Sequence, residues 1–128
     1  MATETQRIAM QLDADRRLAA AAGGVGRYFA DAAGLASNVV SDLQSAIVGV
    51  CNREIAHLHP PSERLQVTLT RSADRIEVVV SRHAGDGSGT NPEPQGKLAG
   101  VDSVQVERQV DVVRTRLTKF VSESASGD

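Results

Sequence analysis

The 128 residues include no tryptophan, one tyrosine (Tyr28), two phenylalanines (Phe29 and Phe120) and one cysteine, Cys51. So small an aromatic stock offers no platform on which single-stranded nucleic acid could stack. A lone cysteine excludes an internal disulfide framework and a cysteine-rich zinc site. Neither sign of charge dominates, since 14 Lys and Arg face 16 Asp and Glu for a net charge of −2. That balance speaks against a nucleic-acid binder driven by counterion release. No apolar run approaches the roughly 20 residues of a membrane helix, so no membrane span is expected. Met1 to Gln6 has no basic stretch leading into an apolar one, so no secretory leader is expected and a cytoplasmic location is.

What is there suits one folded unit. Hydrophobic residues are 41% and charged residues 23%, enough apolar side chain at this length for one core. The expected organisation is a single domain over 1–120 followed by a flexible polar tail, 121–128.

Residues 5–12 alternate, with Ile8, Met10 and Leu12 on one side, as in a half-buried strand. Asp13 or Asp15 then offers a helix N-cap, and Leu18, Ala22, Val25, Phe29 and Ala32 form an apolar stripe ending at Gly34. Gly23, Gly24 and Gly26 interrupt this helix. Each costs about 1 kcal/mol against alanine, which predicts close backbone packing or a weak middle. A second helix begins after Ser37 or Asn38 and runs to about Leu58, with Leu43, Ile47, Val50, Cys51 and Leu58 as its apolar face; Pro60-Pro61 stops it. Strands follow at 64–72 and 76–81, joined by a turn at Ala73-Asp74, and the valine run of the second suits a central position. Residues 82–100, with five glycines and two prolines, read as a long loop. Val101–Arg108 and Val110–Phe120 close the chain as a last β pair. The order β-α-α-β-β-loop-β-β predicts an α+β two-layer sandwich, a mostly antiparallel sheet with two long helices on one face.

Few residues suggest chemistry directly. Cys51 lies on the apolar helix face and reads as a buried thiol. His57 and His59, two residues apart, point to different faces and make no i, i+4 zinc pair. Asp86-Gly87-Ser88-Gly89 lacks the Lys-Ser/Thr ending of a phosphate loop. Arg108, Arg114, Arg116 and Lys119 suggest a modest basic patch. Glu54 falls within the helical apolar stripe, where a buried carboxylate would need a partner; a frayed helix end or a snorkelling side chain is the ordinary expectation.

The stretch Asp15–Pro60 contains Asp31-Ala-Ala-Gly-Leu35, then Asp42-Leu43, Ala46-Ile47, His57 and His59-Pro60 without a gap. With the order strand, helix, helix, strand, strand, and with Val101-Asp102-Ser103-Val104 and Arg116-Leu117-Thr118-Lys119 near the end, this phrasing resembles the bacterial anti-sigma factor kinases. These are small members of the GHKL (histidine-kinase-like ATPase) superfamily. The resemblance implies that fold with a shortened ATP lid, and a partner that is a sigma factor or a STAS-domain antagonist. It also allows a homodimer.

The resemblance does not carry the catalytic residues across. The family places a catalytic Glu four residues before a Mg²⁺-holding Asn; here those positions are Gly49, without a side chain, and Arg53, a fixed cation where a hard dication would sit. Asn52 is one residue off, about 100° around the helix. The strand-end Asp-x-Gly that would accept from adenine falls on Arg82 and Ala84, and guanidinium is donor-only. The lid shrinks to Gly96-Lys97-Leu98-Ala99-Gly100. The expectation is therefore a degenerate nucleotide pocket at Gly49, Arg53, His57, Arg82 and Ala84, with no catalytic residue, no metal ligand and no cofactor. The protein would act in transcription regulation by protein contact. One alternative is an active serine/threonine kinase that uses ATP and Mg²⁺, through Asn52 or Glu54 with Asp86, on a STAS protein. Another is a dimerisation or small-anion-sensing module in which Arg53, His57 and Arg82 line the vacated pocket.

Overall fold

The computed structural model describes residues 5–58, 63–83, 98–109 and 111–121. Strand β1 (Gln6–Leu12) leads into helices α1 (Arg16–Ala32) and α2 (Ser37–Ile55), and four strands follow: β2 (Leu65–Arg71), β3 (Arg75–His83), β4 (Ser103–Arg108) and β5 (Val112–Phe120). They form one five-stranded sheet in the order β1-β2-β3-β5-β4, antiparallel at every junction. The fold is an α+β two-layer sandwich, with α1 and α2 packed together against β1, β2 and β3. Among the described residues no helix is long and apolar enough to cross a membrane.

The caps follow local chemistry. Asp15 takes the N-cap of α1, where its Oδ1 accepts from the Arg17 backbone N–H at 2.9 Å. Hydrogen bonds from the Arg17 side chain and backbone hold the Asp15 carboxyl below its ordinary value. Helix α1 closes at Ala33, and Gly34 follows in the left-handed region at φ +81°, a conformation glycine adopts without Cβ strain. Helix α2 stops at Ile55 rather than near Leu58: the His57 and Leu58 N–H groups donate to Glu54 and Ile55, the tighter turns of a helix end. Pro60 and Pro61 lie outside the described residues.

The buried stripe of α1 differs from the sequence pattern. Ala19, Ala22, Gly23, Gly26, Phe29 and Ala30 are buried, Leu18 and Val25 are half-buried, and Ala32 is exposed. A Cβ at Gly23 would come within 2.5 Å of Val48 Cγ2, and one at Gly26 would overlap the Ile47 side chain. The glycines set the helices close, and the larger residues give up the contact face. Gly24 has open space around it.

The core lies between the layers. Leu65, Val67, Leu69, Ile76, Val78, Val80 and Leu117 from the sheet meet Phe29, Val40, Leu43, Ile47 and Cys51 from the helices. Strand β3 holds the middle of the sheet, as its valine run predicts. In β1 the predicted alternation weakens outward, from buried Leu12 to Ile8 at 38% exposure. As the edge strand, β1 has only one neighbour, and the cover thins along it.

Candidate functional site

Helix α2 presents two faces. One is the core stripe of Leu43, Ile47, Val50, Cys51 and Ile55, with Glu54 among them. The other carries Asp42, Ser45, Ala46, Gly49 and Arg53, spaced i, i+3, i+4, i+7 and i+11, which is a single helical face. Against it lies the turn Leu98–Val101, closed by the Val101 N–H donating to Leu98 O at 3.2 Å. Gly100 makes this approach possible. Its φ is +83°, and a Cβ there would lie 2.6 Å from the Asp42 carbonyl carbon. Asp102 secures the next step: its N–H donates to Thr118 O at 2.8 Å, and its carboxylate accepts from Phe120 N–H at 2.6 Å.

Between α2 and this turn runs a groove. One cavity of about 180 Å³ is lined by Ser45, Ala46, Gly49, Val50, Arg53 and Leu98. A second, of about 240 Å³, shares Ser45, Ala46 and Leu98 with it and extends to Asp42 and Ala99. Gly49 forms part of the floor, and a Cβ there would meet nothing within 4 Å.

Below the Arg53 end lies a buried ionic cluster. Glu54 is 3% exposed, so the expectation of a frayed or snorkelling residue is corrected. Its Oε2 accepts from Arg53 Nε at 3.0 Å and its Oε1 from Arg82 Nε. Arg82 reaches it because positions 76, 78, 80 and 82 of β3 share the helix-facing side of the sheet. Its side chain is 13% exposed and that of Arg53 32%. Arg53 Nη2 and Asn52 Oδ1 are buried without a hydrogen-bond partner.

The expected pocket residues therefore separate. Gly49 and Arg53 line the groove. Arg82 is committed to Glu54, which sequence spacing did not pair with it. His57 is exposed in the turn after α2 and lines neither cavity, so Arg53, His57 and Arg82 do not share one pocket wall. Ala84, His59 and Asp86 lie outside the described residues. Cys51 is buried as expected; burial first, and the Glu54 charge second, push its thiol up to about 12. A thiol so held stays protonated at neutral pH and makes a poor nucleophile. The basic patch is also corrected. Arg114 and Arg116 lie on the outer face of the sheet, with Arg114 3.8 Å from Glu107. Lys119 has the opposite parity and turns to Asp102 at 3.4 Å.

Among the described residues the donor set at these positions does not match a magnesium nucleotide. The groove wall at positions 49 and 53 offers no side chain and a cation, where Mg²⁺ asks for oxygen ligands. The Asp42 carboxylate stands at the far end, about 16 Å along the helix axis from position 53. The one buried carboxylate among the described residues, Glu54, already accepts on both oxygens. A comparison with family models found no match for the chain, and a comparison with the curated proteins found none either.

Proposed function

We propose that the chain is a regulatory domain of anti-sigma type that works by binding a protein, a sigma factor or a STAS-domain antagonist, without using a nucleotide. One observation carries the reading. The side chains at the two positions where the resemblance expects nucleotide-handling groups, Arg53 and Arg82, are both cations, and both are tied to one internal carboxylate, Glu54. The scaffold sets two helices over an antiparallel sheet, and the carboxylate of that corner is spent on these two cations. The kinase reading would need Asn52 or Glu54 together with Asp86, and Glu54 is held on both oxygens.

The test has two arms. Thermal melting with Mg-ATP and Mg-ADP is expected to show no shift, whereas a native-state ligand at a hundred times its dissociation constant adds about 2.7 kcal/mol. Calorimetric titration with sigma factors and STAS proteins of the same genome is expected to give a saturable complex with one of them. Failure to bind any of them would sink the proposal, and so would phosphate transfer from ATP to a STAS protein.

A further inference from the structure

We infer that the groove along α2 is a receptor site for a small monocarboxylate with a short aliphatic body, whose carboxylate pairs with Arg53. The inference rests on the reading that this groove takes no nucleotide.

Charge gives the first reason. The cluster below the groove holds two guanidinium groups and one carboxylate, so it is short of one negative charge. Glu54 is 3% and Arg82 13% exposed, so the charge left over is met at Arg53, whose side chain is 32% exposed and lines the groove. Glu54 holds Arg53 through Nε, and the exposed part of the guanidinium side chain at the groove is left to donate to a second carboxylate.

Shape gives the second. Gly49 is a glycine within a helix, as are Gly23 and Gly26, but it has no packing reason, since a Cβ there would touch nothing. What its missing side chain does is leave the groove open beside Arg53. The cavity of about 180 Å³ is far larger than the roughly 10–15 Å³ that one water needs.

The lining selects among anions. Ala46, Val50 and Leu98 supply apolar walls, and Ser45 one hydroxyl. Among the described residues Arg53 is the one cation of the lining, and Asp42 stands at the other end. A dianion such as phosphate would find one positive partner and an opposing carboxylate. A monoanion with an aliphatic body meets both the charge and the walls.

The probe is isovalerate, titrated into the full chain at constant ionic strength, with chloride and inorganic phosphate as controls and Mg-ATP run separately. Isovalerate is expected to raise the melting temperature saturably in the millimolar range and to shift the Val50 and Leu98 methyl resonances, with no such response to chloride or phosphate. Arg53→Gln is expected to abolish the response. Gly49→Leu, which fills the groove from a position with free space, is expected to melt at or above the parent and to be unresponsive. The inference is overturned by a parent that does not respond, by equal responses to phosphate or chloride, or by a response that survives in Gly49→Leu. A rise with Mg-ATP overturns the nucleotide-free reading as well. Silence toward both isovalerate and Mg-ATP overturns this inference alone.

Discussion

Glu54 brings a negative charge to a point where two guanidinium groups converge, and its removal leaves both without a counter-charge. Breaking such a buried pair from one side costs about 3–5 kcal/mol. Urea denaturation of Glu54→Ala is expected to show a loss of that order. Arg82→Met is expected to lose less, because Arg53 Nε still holds Glu54. Cys51 gives a pH prediction. Its value rises from the ordinary 9.0 to about 12 on folding, so the unfolded chain releases the thiol proton first as the pH climbs. The associated stability is intact below pH 9 and is lost between about 9 and 12, at up to about 1.4 kcal/mol per pH unit. Melting curves across alkaline pH should fall less steeply for Cys51→Ala than for the parent. At this scale the sequence showed that Glu54 sits in an apolar stripe, but not its partner. Arg82 lies on another element, and only the sheet's parity brings it to the helix. The thiol's burial was plain because Cys51 keeps step with Leu43, Ile47 and Val50.

Helix α1 meets α2 through alanines and glycines, and that makes neighbouring glycines behave oppositely. Gly24 is exposed with nothing near its missing Cβ, so Gly24→Ala is expected to stabilise by about 0.5–1 kcal/mol. At Gly23 the same substitution drives a methyl into Val48, a branched side chain with little freedom to turn, and against Gln44. Overpacking of this kind costs about 1–3 kcal/mol and outweighs the helix gain, so Gly23→Ala should lower the urea midpoint. Gly100→Ala should be worse, because it adds left-handed strain of about 1–2 kcal/mol to a collision with the backbone of α2. Hydropathy patterning picked Leu18 and Val25 for the contact face because it scores glycine as neutral. It could not register that the absence of a side chain is what lets the helices touch. The caps were legible: Asp15 and Gly34 mark the ends of α1 by chemistry confined to a few residues. Strand ends were less so. Strand β3 extends to His83 because β5 pairs with it throughout, from Arg75 to His83, and that partner is remote in sequence.

For the whole molecule, one core shared by both layers predicts one transition. Cys51 sits in the middle of that core, so its reaction with a thiol reagent during a urea titration should coincide with loss of far-UV dichroism. Separate midpoints would show that the helices and the sheet come apart independently. The two-layer architecture could be read from element order alone, since two amphipathic helices ahead of several alternating strands have few ways to bury their apolar faces. The groove could not be read in the same way. It depends on Gly100 seating a turn against α2, a contact between distant parts of the chain.

The place of β1 in the sheet has a consequence during synthesis. The strand leaves the ribosome before both helices, yet its one sheet neighbour is β2, which follows them. With translation at about 5–20 residues per second, Ile8, Met10 and Leu12 wait several seconds for Leu69, Val67 and Leu65 to be made. During that interval the nascent chain shows an unpaired, half-apolar strand to its surroundings, which makes β1 the natural place for a chaperone to hold it.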